Sequence, residues 1–217
     1  MPSKSLKKFE KSLIVDVERI IETHRQINHQ GLGRRGLGHI TRSGVLMLCA
    51  AWEMYVEEIL KESVHYFAGK LDHPNELPKA VQKELSRAVK ESKHELKPLE
   101  LAGEGWKSLY HNHASEVLSG LNTPKSGNLD PLFTRFLGIN KLSNSWSCQA
   151  SEINDFVSVR GDIAHTGSEA SYVTINNLKT YKTLVEKIVL EIDNYIAEHL
   201  RDSTPGQEMP WRRRLNN

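Results

Sequence analysis

The strongest constraint on this chain is residues 40–67, its longest apolar stretch. Val45, Leu48, Trp52, Tyr55 and Ile59 recur at steps of three and four, and Met47, Ala51 and Leu60 widen the stripe beyond one helical face. A helix so broadly apolar is either the centre of a bundle or shared with a second chain. Gly69 and the Asp72-His73-Pro74-Asn75 cluster end it.

The rest of the chain supplies partners for such a helix. Residues 5–28 carry Leu6, Phe9, Leu13, Val17, Ile20, His24 and Ile27 on one stripe, which predicts a single amphipathic helix. Leu77, Val81, Leu85 and Val89 give 77–93 a narrow stripe, so that helix is peripheral. Further helices are expected at about 106–119, 129–138, 148–165 and 174–201, the last with Thr174 as N-cap. Asn122–Asn128 reads as a turn, and the polar lead-in Asn144-Ser145-Trp146-Ser147 offers caps for the helix after it. No segment reads convincingly as a strand, so the fold class is all-α.

Composition narrows the function. The 217 residues suit one domain, with 38% hydrophobic and 26% charged residues, as in a soluble globular chain. A formal charge of +2 does not announce a nucleic-acid binder, so any such surface is local. Cys49 and Cys148 lie far apart and Cys49 falls inside the apolar helix, which favours a reducing, cytoplasmic setting over a disulfide framework. Lys7 and Lys8 lead into an amphipathic stretch rather than a signal sequence, and no apolar run is long enough to span a membrane. No Walker loop, nucleophile elbow or zinc spacing occurs, and His111 and His113 are two apart and diverge on a helix; no metal or other cofactor is expected. Gly31, Gly33 and Gly36 fit G-x-G-x-x-G, but a helix precedes them where a strand is required, so the segment is a connector; Arg34 and Arg35 in it are candidates for an RNA backbone.

One stretch does not fit a purely structural helix. In Val157–Gly167, Arg160 falls on the stripe of Ile153, Phe156 and Ile163, the face to be buried. A guanidinium there needs an anion or a polar seam, since burying it alone costs several kcal/mol. Thr166-Gly167 is the stop signal, which places His165 in or just past the last turn. As a structural pair, Arg160 would meet Glu53 or Asp162 within one bundle, and His165 would serve the helix dipole.

Arg160, four intervening residues and His165 resemble the R-x4-H signature of HEPN domains. Leu48–Leu60, with Trp52-Glu53 at its centre, resembles the family's long second helix. Asn122-Thr123-Pro124-Lys125-Ser126-Gly127-Asn128-Leu129, then Leu132-Phe133 and Ser145-Trp146, resemble the RiboL-PSP-HEPN subgroup. The resemblance covers roughly residues 5–200. It implies a HEPN-like helical domain over 1–202, a two-fold homodimer with motif helices facing across the seam, and a metal-independent endoribonuclease that leaves a 2′,3′-cyclic phosphate, in phage defence or a toxin system. Catalysis then falls to Arg160 and His165 of both chains, with Asp162 and Glu53 in support. RNA is the substrate and an antitoxin or defence-system protein a further partner. The reading from a different class is a non-catalytic dimerising scaffold that binds a partner protein or a nucleotide. One position departs from the family: where nuclease members often carry a polar residue after the arginine, this chain has Gly161. A glycine within a helix costs about 1 kcal/mol relative to alanine, and its presence points to a bend or a close backbone approach.

The last segment, 203–217, holds two prolines, a glycine and Trp211-Arg212-Arg213-Arg214. It reads as a flexible, basic tail. Trp211 beside Arg212, Arg213 and Arg214 also suits stacking on a base with neutralised phosphates, which adds those arginines to the RNA-binding candidates.

Overall fold

A computed structural model describes residues 1–28, 36–167, 170 and 172–214. The elements are α1 (Lys4–Lys8), a π-helical turn (Phe9–Leu13), α2 (Val15–Ile27), α3 (Gly38–Lys70), α4 (Lys79–Glu91), α5 (Gly105–Leu118), α6 (Ser126–Leu137), α7 (Ala150–Thr166) and α8 (Ile175–Asp202). No strand occurs among the described residues, so the chain is an all-α bundle.

The broadly apolar stretch is the axis. α3 runs for 33 residues and packs against α1, α2, α5, α6, α7 and α8. Val45, Leu48, Trp52, Tyr55, Val56, Ile59 and Phe67 are wholly enclosed. α4, with its narrow stripe, packs against α5 and α6 instead. One face of α3 is left open: Leu46, Met47, Ala50 and Met54 are exposed, so Met47, which widens the apolar stripe in the sequence, stands in solvent.

The single helix expected at 5–28 is interrupted. The π turn inserts a residue, and the buried set becomes Leu6, Phe9, Ile14 and Val17, with a step of five where an unbroken helix would make four. Ile27, at the far end of the expected stripe, is exposed. α6 starts three residues earlier than the sequence suggests, because the Asn154 carboxamide accepts from the Ser126 N–H at 2.9 Å and caps the new helix from outside. It ends at Gly138, whose φ of +75° suits glycine and where a Cβ would collide with the ring of Pro78. α7 starts from a capping box between Gln149 and Glu152, and α8 from one between Thr174 and Asn177.

A buried carboxylate ties α4 to its neighbours. Glu84 accepts from Arg135 of α6 at 2.7 Å, from Arg87 at 2.6 Å and from His113 of α5 at 2.8 Å. His111, two positions from His113, instead lies beside His65, its ring centre 5.2 Å away.

The segment expected to be a loose tail is docked as far as Arg214. Trp211 is 8% exposed and donates to the Asp193 carbonyl at 3.1 Å. Asn194 and Arg214 exchange hydrogen bonds, Arg213 pairs with Glu198, and Arg214 pairs with Glu10. The start of the chain meets it there: Arg212 N donates to the Met1 carbonyl at 2.9 Å, and the Ser3 hydroxyl donates to Asp193. No helix among the described residues is long and apolar enough to cross a membrane.

Candidate functional site

The three sequence strings around Arg160 converge on one corner of the bundle. Trp52, enclosed in α3, donates from Nε1 to the Pro124 carbonyl at 3.0 Å. Trp146 packs edge-on against Trp52, with ring centres 6.4 Å apart. The loop after α5 is thereby fixed to α3, and its other end is fixed to α7. Asn154 and Ser158, one turn apart on one face of α7, hold Ser126 and Lys125 respectively; the Lys125 Nζ donates to the Ser158 hydroxyl at 2.8 Å.

Arg160 enters the same corner. Ile153, Phe156 and Ile163 are buried, and Arg160 on their stripe is half-buried. Its Nη1 donates to the Asn122 carbonyl at 3.0 Å, and among the described residues it forms no ion pair. Its charge is felt on α3. Burial pushes the Cys49 thiol up to about 11, against the pull of Arg160. Burial also pushes the Glu53 carboxyl up, with Arg160 again opposing and Glu57 adding to the rise. Glu53 is thus near enough to Arg160 to interact through charge without closing a contact pair. Asp162, the other carboxylate that the sequence offered, points elsewhere: it is exposed and accepts from the Tyr172 hydroxyl at 2.7 Å. That bond, with burial second, pushes the Tyr172 phenol up to about 12.

His165 lies in the last turn of α7 and is exposed. Gly167 follows with φ +55°, which ends the helix. Arg160 is therefore anchored at the inner edge of α7, while His165 faces solvent about one turn further on. α7 runs unbroken through Gly161, and a Cβ there would meet nothing within 4 Å. The close backbone approach expected at Gly161 is not present; the position has room for a side chain.

The other candidates lie apart from this corner. Arg34 and Arg35 fall outside the described residues. Arg213 and Arg214 are engaged with Glu198 and Glu10, and Trp211 is buried rather than offered as a stacking platform. Arg212 is exposed. Among the described residues no group of three or more His, Cys, Asp or Glu is placed to hold a metal ion.

The sequence reading passed over Lys125, a half-buried cation on the polar edge of α7. The signal for it was the i, i+4 pair Asn154 and Ser158 inside an otherwise apolar helix, which asks for a polar neighbour. No match was found among curated proteins or among solved structures. The family model described as RiboL-PSP-HEPN matches residues 7–198, nearly the whole described bundle, and the chain belongs to that family of HEPN domains.

Proposed function

We propose that this protein is a metal-independent endoribonuclease whose site is completed by a second copy of the chain. HEPN domains are commonly nucleases or nucleotide-binding modules, and the finer reading rests on one observation. Arg160, half-buried and without an ion pair among the described residues, acts on Cys49 and Glu53 of α3, the helix whose open face carries Leu46, Met47 and Met54. An exposed apolar stripe on α3, with a guanidinium that closes no ion pair among the described residues acting on the same helix, suits a symmetric seam with an anionic ligand in it.

RNA supplies its own nucleophile. The 2′-oxygen attacks the adjacent phosphorus as a base removes its proton, and the bond to the 5′-oxygen breaks as an acid protonates that oxygen. The products are a 2′,3′-cyclic phosphate and a free 5′-hydroxyl. Histidine titrates near neutrality and serves in either proton role. Arginine stays charged and forks onto two non-bridging oxygens. One chain offers one histidine and one arginine at this corner; a two-fold pair offers two of each, which divides base and acid between the two copies of His165. Lys125 adds a cation on the same edge of α7 for a neighbouring phosphate. Activity of this kind fits a toxin or a defence against phage in the cytoplasm, restrained by a partner protein.

The test is incubation of single-stranded RNA with the protein in EDTA. Wild type cleaves to cyclic-phosphate ends, Arg160→Ala and His165→Ala do not, and the matching DNA, which lacks the 2′-hydroxyl, is untouched. An intact dimer that cuts none of the RNAs tried overturns the nuclease and leaves a non-catalytic scaffold.

A further inference from the structure

His111 and His113 diverge on α5, as their spacing requires, and each meets a different helix. His113 holds Glu84 of α4 at 2.8 Å. His111 turns to α3, where its ring centre lies 5.2 Å from that of His65 and the two planes are inclined at 47°. His65 is exposed and His111 half-buried, so the pair is open to solvent on the α3 side. The ring nitrogens that form hydrogen bonds among the described residues belong to His39, His113 and His199, not to this pair. Two imidazoles therefore stand side by side on packed helices, with no bond between them and no structural task.

The spacing is that of a chelate. An ion bound at about 2.0–2.1 Å from an imidazole nitrogen lies roughly 3.2 Å from the ring centre. Two such rings at a tetrahedral angle then have centres about 5.2 Å apart, which matches the separation of His65 and His111. Burial, and after it the nearby His65, lower the His111 imidazole from its ordinary value, which favours the neutral form that ligates. The two side chains are carried by α3 and α5, which pack against each other, so the pair is held in place before any ion arrives. Glu62, one turn before His65, is engaged with the N–H groups of Lys4 and Ser5. Among the described residues no group of three or more His, Cys, Asp or Glu is placed to hold a metal, so an ion here has two protein ligands and water in its remaining positions.

We propose that His65 and His111 bind one divalent transition-metal ion of the zinc class, which ties α3 to α5. Imidazole ligands select such ions over Mg2+ and Ca2+, which prefer oxygen. The site is separate from the Arg160 corner: His65 lies twelve residues beyond Glu53 on α3, about 18 Å along the helix. Cleavage of RNA in EDTA neither needs this ion nor tests it.

The experiment is calorimetric titration of Zn2+ into the EDTA-treated, dialysed protein, with thermal melting followed by circular dichroism beside it. One ion binds per chain. At ten times its Kd it raises the melting temperature by about 3–5 °C, whereas Mg2+ at the same concentration gives no shift. His65→Ala and His111→Gln each weaken binding tenfold or more and abolish the zinc-dependent rise, because either loss leaves a single ligand. Both variants fold, as read by circular dichroism without metal. His94→Ala, which removes another exposed histidine, binds as wild type does. Unchanged affinity in His65→Ala or in His111→Gln, or equal stabilisation by Mg2+, overturns the proposal. Arg160→Ala binds zinc as wild type does, so loss of cleavage and loss of this site are read separately.

Discussion

Arg160 and Asn122, 38 positions apart in the chain, meet through a side chain on one side and the main chain on the other: the guanidinium donates to the Asn122 carbonyl. The acceptor does not belong to the asparagine as such. Asn122→Ala is therefore expected to change stability by less than about 0.5 kcal/mol. Arg160→Met, of similar reach but without a donor, costs about 1 kcal/mol. Urea unfolding of the two variants checks this; equal losses would move the anchor to the Asn122 side chain.

The open face of α3 gives a second prediction. Met47→Glu with Met54→Glu places two carboxylates on the proposed seam, at positions that are 40% and 42% exposed within one chain. The single chain keeps its fold. Sedimentation should show the dimer reduced to a monomer, and RNA cleavage should fall by about tenfold or more. A variant that stays dimeric and active locates the seam elsewhere.

Gly161 gives a third. With open space at its Cβ and helix on both sides, Gly161→Ala should raise stability by about 0.5–1 kcal/mol, read as a higher melting temperature. Gly161→Asn places a polar side chain directly after the arginine, in the same open space, and should fold equally well.

Glu84 and Asp193 make opposite contributions to the dependence of stability on pH. Burial disfavours the Glu84 carboxylate, but hydrogen bonds from Arg135, His113 and Arg87 outweigh it and hold the group at about 2, below its usual 4.5. A depressed value in the folded state means stability that is present above about 4.5 and lost as the pH falls toward 2, amounting to about 3 kcal/mol. Glu84→Gln should flatten acid unfolding across that window and weaken the protein at neutral pH, as followed by circular dichroism against pH.

Asp193 runs the other way. It is wholly enclosed, and burial, aided by Glu62, raises it to about 6 from 3.8 despite the bond from Ser3. One of its oxygens, Oδ2, has no partner among the described residues. Stability from this group is full below 3.8 and is lost as the pH rises through 6. Asp193→Asn should lose less stability than wild type between pH 4 and 7, by about 2 kcal/mol, measured by denaturant unfolding at each pH.

The central helix, the peripheral α4 and the capped start of α8 were legible because each rests on local periodicity or a local cap, which a sequence displays directly. The π turn was not legible: its register shift shows only once Ile14, rather than Leu13, is found in the core. The docked tail was hidden for a different reason. Glu198 and Glu10 lie far from Arg213 and Arg214 in the chain, and composition alone reads such a segment as solvated. Arg160 and His165 could be picked out by spacing and resemblance. The Asn122 and Pro124 contacts could not, because main-chain carbonyls carry no side-chain signature.

The extra residue in the Phe9–Leu13 turn leaves the chain one spare position. Without any one of Glu10, Lys11 or Ser12, the path from Phe9 to Ile14 shortens to the stride of an ordinary helix, and both halves keep their faces to the interior. In the middle of any regular helix here, losing a residue swings everything beyond it by about 100°. Near its beginning, then, this molecule can absorb a change in length that would scramble it elsewhere.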